Sequence, residues 1–268
     1  MTQLRPGRDC PLDYRLPASA FAGEPLFGCD SLYVVGGLYG NRQALDALEQ
    51  LLADEPHARV VFNGDLHWFD CDPALFSEIE HRSAAHCILR GNVETELGRA
   101  QDLGAGCGCA YPESVAEQTV DWSNQMHQAL GQTLAGLPGL RTQLAQRAAC
   151  AVVTVAGQRV AISHGDETSL AGWQCSREAL QQPLRQQALA AWLQEQAVQV
   201  FASSHTCAPV ALRLPQAAVI NNGAAGMPNF AGRRFGLISR IATSTHADAL
   251  YRTEVNGLQV EAIPLHYD

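Results

Sequence analysis

The sequence predicts an α/β protein of layered sheets flanked by helices, and three observations predict it. From Ser31 onward, short apolar runs alternate with segments of helical periodicity. The last third of the chain is strand-rich instead. Four of the apolar runs end in a polar residue beside small ones, at Asp65, Asn92, His164 and His205. Strands of an open α/β sheet deliver ligand-binding groups to a common carboxyl edge in this way.

The elements follow in order. Residues 1–30, rich in Pro, Gly and Ala, read as an irregular lead-in on the surface, and residues 31–268 as one domain. "SLYVVGG" is a strand. Asn41 then caps a helix whose Leu45, Leu48 and Leu52 share a face. "ARVVFNGD" is the next strand; Asp72 and Pro73 cap and open the helix "PALFSEIEHR". "AHCILRGN" is a third strand. One or two helices follow between Pro112 and Ala148, broken at Leu137-Pro138-Gly139. "CAVVTVAGQRVAISHG" is a hairpin turning at Ala156-Gly157. A helix over 183–196 leads to the strand "VQVFASSH", and "AAVINNGAAG" precedes two or three closing strands.

Composition excludes some partners. A chain of 268 residues is long enough for one large domain with a buried core. With 47% hydrophobic and 17% charged residues it is of ordinary globular type. A net charge of −9 gives no basic field for nucleic acid, although a bound metal would reverse the potential locally for a small anionic substrate. No run approaches the roughly 20 apolar residues of a membrane span. "MTQLRPGRDCPLDYRLP" lacks the apolar stretch of a secretory signal. These features predict a cytoplasmic chain with no membrane partner; they leave the oligomeric state open. Nine scattered cysteines argue against a disulfide framework.

A carboxylate, an amide oxygen and two imidazoles at one edge form a plausible set of metal ligands. Their mixture of oxygen and nitrogen suits Mn, Fe, Zn or Ni better than Mg or Ca. Taken singly, Asp65 and Asn92 read first as ordinary turn residues and each His as a satisfied polar residue; their common placement is what points to a metal. His67, two residues past Asp65, reads either as a catalytic group or as a ring packed on Trp68 and Phe69. "CGCAYP" reads as a glycine-rich loop with two incidental thiols or as a soft-metal chelate.

In order and spacing, "GGLYGN", "NGDLHWFD", "RGNVE", "SHGD", "SSHTCAP" and "INNGAAGMP" resemble the motifs of the calcineurin-like metallophosphoesterase superfamily. The resemblance spans residues 31 to about 266. It implies a four-layer αββα sandwich and two metals sharing Asp65. One metal would be completed by Asn92, His164 and His205, a set this chain keeps. The other falls on Gly37, Tyr39 and Cys207, of which Cys207 alone offers a good ligand, as a thiolate. The resemblance also puts Val93 where the phosphatase branch has a proton-donating His, and Glu94 at the site edge. Asn221 and Asn222 would order the loop beneath the metal.

Tyr39 is then expected to fill the vacated space or stack on a ligand, and Arg90 or Arg233-Arg234 to pair with a phosphate. Cys107, Cys109 and Cys207 together would rebuild the lost site with sulfur. The function implied is hydrolysis of a phosphodiester or other activated phosphate in a small phosphorylated substrate. It would use a metal-bound water at a one-metal or altered two-metal site. The alternative is a non-catalytic descendant that keeps the metal or binds a ligand.

Overall fold

Parallel strands covered on both faces read as unbroken apolar runs, and the runs of this chain build two six-stranded mixed sheets. The computed structural model describes residues 4–268; residues 1–3 of the expected lead-in lie outside the described residues. The strands are β1 (Gly28–Cys29), β2 (Ser31–Val35), β3 (Arg59–Asn63), β4 (Cys87–Leu89), β5 (Cys150–Val155), β6 (Gln158–Ser163), β7 (Val200–Ser203), β8 (Val210–Arg213), β9 (Ala218–Asn221), β10 (Phe235–Ala242), β11 (Tyr251–Val255) and β12 (Leu258–His266). The helices are α1 (Arg42–Asp54), α2 (Pro73–Ser83), α3 (Asn92–Gly98), α4 (Glu117–Ala135), α5 (Leu140–Gln146), α6 (Arg177–Leu180) and α7 (Pro183–Glu195).

One sheet has the order β1-β5-β6-β7-β9-β8 and the other β11-β12-β10-β2-β3-β4. Strands β2, β3 and β4 are parallel neighbours, as are β6, β7 and β9. Alternate side chains of each strand go to opposite faces, and both faces are buried. Val34, Val61, Ile241, Val153, Ile162 and Ala202 meet between the sheets. Tyr33, Val35 and Phe62 face outward against Leu45 and Leu48 of α1 and Ile79 of α2. Phe201 and Val219 face outward against Leu189 and Leu193 of α7. The four layers are therefore helix, sheet, sheet, helix, as expected. Alongside them, α3, α4 and α5 pack around Val93, Leu97, Leu130 and Leu144.

The local signals act as the sequence suggests. Asn41 accepts the Ala44 N–H at the start of α1, and Asp72 accepts those of Ala74 and Leu75 at the start of α2. Ala156 and Gly157, both with positive φ, turn the β5–β6 hairpin. Short elements escape a periodic reading: α3 has seven residues, and α6 and β8 four each. Most of the described lead-in is exposed, but it is anchored at points. Tyr14 and Phe21 are wholly buried, and β1 pairs with β5. Two isolated aromatics leave no period in a sequence, yet they bury large areas. Among the described residues no helix is long and apolar enough to cross a membrane.

Candidate metal centre

The carboxyl ends of the parallel strands in both sheets converge. Past β3, Gly64 is followed by Asp65, whose φ of +53° is in the left-handed region. Past β4, Gly91 passes so close that a Cβ there would collide with Asp65 Oδ1. Asn92 then opens α3. From the other sheet, His164 follows β6 and His205 follows β7; both of their turns are closed on the His164 carbonyl, which accepts Ser204 and His205 N–H at 3.0 Å. Glu94 ties two ligand-bearing turns together. Its carboxylate accepts the N–H of Asp65 at 2.9 Å, Leu66 at 2.8 Å and Gly91 at 2.7 Å.

The sequence-predicted set is thereby gathered. Among the described residues, Asp65, His164 and His205 form a cluster whose donor atoms all lie within 4.8 Å of one another. His164 Nε2 is 3.1 Å from His205 Nδ1, 3.2 Å from Asn92 Oδ1 and 3.3 Å from Asp65 Oδ2. Ligands about 2.0–2.2 Å from one ion lie about 2.8–3.6 Å apart in octahedral or tetrahedral order. The three separations around His164 Nε2 fall in that range.

The donor orientations fit as well. His164 Nδ1–H donates to the Asn63 carbonyl at 2.8 Å, so Nε2 is the free nitrogen. His205 Nε2–H donates to the Cys109 carbonyl at 2.9 Å, which leaves Nδ1 free. Asn92 Nδ2–H donates to the Cys107 carbonyl at 2.9 Å, which turns its oxygen inward.

The electrostatics call for positive charge. Burial alone would raise the Asp65 carboxyl, but His164, His205 and the Val93 N–H outweigh it and hold it low. For His164, burial opposes the charged form, yet Asp65 holds the ring's pKa above its ordinary value. His205 is pushed down to about 4 by burial and then by His164. A divalent cation satisfies all three groups at once.

The other half of the expected site is filled by protein. A Cβ on Gly37 would meet Tyr39 Cε2 and Cζ at 2.9 Å and Oη at 3.0 Å, so the phenol occupies the space of a side chain at Gly37. Tyr39 Oη and Cys207 Sγ are hydrogen-bonded at 2.9 Å. Burial, reinforced by Cys207 and Asp65, holds the phenol pKa well above its ordinary value, so it is neutral. Tyr39 also lines a cavity of about 430 Å³ together with Phe69, Arg234 and Tyr267.

Several expectations need correction. Cys207 is engaged by Tyr39 and stands outside the cluster. The three sulfurs do not rebuild a site, because Cys107 and Cys109 are paired with each other as a disulfide. His67 stands outside the ligand cluster. It is wholly buried, stacked on Phe76 at 3.5 Å between centroids, with Asp70 on one nitrogen and Glu80 on the other. Arg90 does not face the cluster, since its guanidinium donates to the Ala145 and Arg147 carbonyls. Val93 lies in the apolar cluster around α3, so no acid or base stands at that position. Sequence reasoning missed the two cysteine carbonyls. Backbone acceptors leave no trace in side-chain chemistry, and the glycines around "CGC" are their one outward sign.

No family model matches the chain, and no curated protein matches it. Solved structures do. A hypothetical protein from Pyrococcus horikoshii OT3 is similar with a TM-score of 0.60 and 14% identity, over 89% of this chain and 88% of that one. A metallophosphoesterase from Sphaerobacter thermophilus is similar with a TM-score of 0.51 and 15% identity, over 89% of each chain. The chain has the fold of the metallophosphoesterases, the calcineurin-like architecture that its motifs resemble.

Proposed function

We propose that this chain holds one divalent transition metal (Mn, Fe, Zn or Ni) through Asp65, Asn92, His164 and His205. There it hydrolyses a phosphodiester or another activated phosphate. The observation that carries the reading is the set of three separations of 3.1–3.3 Å around His164 Nε2. Such an ion supplies Lewis acidity, lowering the pKa of water and polarising a phosphoryl oxygen. The protein contributes the fixed ligand geometry and the carboxylate charge of Asp65. With valine at position 93, no side chain there hands a proton to a leaving group. The substrate class is therefore one whose leaving group departs as a stable anion. Arg234 and the aromatic wall of Phe69 and Tyr39 offer the substrate a docking surface in the adjoining cavity.

A second reading is favoured by the burial of the cluster. His164 is wholly buried, and Asp65, Asn92 and His205 are at most 6% exposed. With the neighbouring position plugged by Tyr39, the chain would then be a metal-holding descendant that binds a ligand without hydrolysing it. Metal content by mass spectrometry, with turnover of an activated aryl phosphodiester across several metals, separates the two. Turnover that is abolished by Asp65→Ala or His205→Ala supports the enzyme. A filled site without turnover for any metal supports the second reading, and an empty site in every metal refutes both.

A further inference from the structure

The function proposed above gives the Cys107-Gly108-Cys109 segment no part, yet that segment lies on the ligand set. The Cys107 carbonyl aims the Asn92 oxygen, and the Cys109 carbonyl fixes which nitrogen His205 presents. Cys109 Sγ is itself 3.5 Å from Asn92 Nδ2. The segment is held in place from behind. Asn124 Oδ1 accepts the Cys107 N–H at 3.0 Å, and Trp173 Nε1–H donates to the Cys109 carbonyl at 3.1 Å. Gly108 has a φ of +66° and rests on Tyr14, whose hydroxyl would collide with any Cβ there. That hydroxyl donates to Glu96 at 2.6 Å.

The disulfide joins the two residues whose carbonyls do the aiming. A disulfide stabilises a fold chiefly by the loop it closes. This one spans a single glycine and closes almost none. What it fixes is the relative placement of two carbonyls.

We infer that Cys107 and Cys109 are positioning residues of the metal centre, and that their pairing sets its affinity. Bonded, they hold Asn92 and His205 in ligand orientation; reduced, they let the two carbonyls move and the ligands turn away. This rests on the metal reading above. In the redox step a dithiol reductant gives two electrons and two protons. The S–S bond opens to two thiols, and the reductant closes to its own disulfide.

The test is a titration of the full chain with Mn(II), the free ion being counted by electron paramagnetic resonance. Manganese favours oxygen and imidazole over thiolate, so the released sulfurs do not mask the effect. A phosphine serves as reductant without adding a chelating thiol: it gives two electrons to the S–S bond and takes the oxygen of one water to end as its oxide, and the two hydrogens of that water end on the two thiols. Reduction is expected to weaken binding roughly 10–100-fold, the range for loss of a partner that orients a ligand. Cys107→Ser with Cys109→Ser binds like the reduced protein and ignores the reductant. Gly108→Ala, which displaces the loop and spares the sulfurs, also weakens binding in the oxidised protein. Cys71→Ser, at an exposed free thiol, responds like the unaltered chain. Equal affinity in both redox states overturns the inference and leaves the metal reading standing. Tighter binding on reduction also overturns it, since sulfur would then be a ligand. Mn(II) binding in neither state overturns this inference; the metal reading falls with it only when Fe, Zn and Ni leave the site empty as well.

Discussion

Replacing His67 by Ala separates a structural histidine from a catalytic one. The ring is sealed from solvent between Asp70 and Glu80, with Glu80 Oε1 at 2.7 Å. Burial alone would lower its pKa. The hydrogen bonds and charges of Asp70 and Glu80 outweigh that and raise it to about 9, so the ring is cationic at neutral pH. Glu80 keeps a second cation, because Arg147 reaches it at 2.6 Å. No second cation pairs with Asp70 among the described residues, and it is 1% exposed. Removing one partner of a buried ion pair costs about 3–5 kcal/mol. At about 2–4 °C per kcal/mol for a chain near this size, the melting temperature falls by roughly 6–20 °C. Thermal denaturation followed by circular dichroism reads the shift, and mass spectrometry reads the metal. The expected variant is much less stable but still takes up metal when folded at low temperature. A melting temperature within about 2 °C of the parent, together with lost metal or lost turnover, would refute the reasoning and return His67 to the site.

Two further outcomes follow from the packing. Gly37→Asp with Tyr39→His and Cys207→His empties the plugged position and supplies three donors beside Asp65. The triple variant is expected to bind one more equivalent of Mn(II) than the parent, and calorimetry with unchanged stoichiometry would count against the role given to Tyr39. Glu55 bears on acid stability. Burial would raise its carboxyl, but hydrogen bonds from Arg240 and Tyr33 bring it down to about 2. A depressed carboxyl stabilises the fold above its unfolded pKa, near 4.5, and that gain is lost as pH falls towards about 2. Glu55→Gln should therefore lower stability at pH 7, by about 1 kcal/mol or less at this partly exposed site, with the difference closing as pH falls from about 4.5 towards 2. Urea melts at pH 7 and pH 3 that differ from the parent by the same amount would contradict this.

Much of the architecture is legible because it rests on long-range order in the chain. The strands ending at Asn63, Leu89, Ser163 and Ser203 announce themselves by apolar runs, and α1 and α2 by their caps. The four ligands are legible because strand ends carry them to one edge. What escapes is set by contacts that sequence spacing does not encode. His67 and Arg90 sit beside ligand-bearing turns in sequence, but a side chain can leave a turn in either direction. Phe76 and Glu80 draw one away, and the carbonyls at the end of α5 draw the other. Tyr39 was expected either to fill the vacated space or to stack on a ligand, and only the Gly37 geometry shows it filling the space. The depth of Tyr14 and Phe21 is invisible because a proline-rich segment has no period against which a buried aromatic stands out.

The ligands arrive in two pairs, Asp65 and Asn92 from one sheet, His164 and His205 from the other. Much of the contact between those sheets is aliphatic, through residues such as Val34, Val61, Val153 and Ile162. Such contact resists separation but only weakly resists sliding, because it has no direction. A coordinated ion has direction, and here it would act as a rivet through the sandwich. At a concentration a hundred times its dissociation constant it adds about 2.7 kcal/mol to the native state. That whole sum opposes any shear that takes one pair of ligands out of reach of the other. Amide exchange on β3 and β6 should slow together when metal is added, although the strands lie in different sheets. The same ion that suits phosphate chemistry would thus keep the two halves of the fold in register.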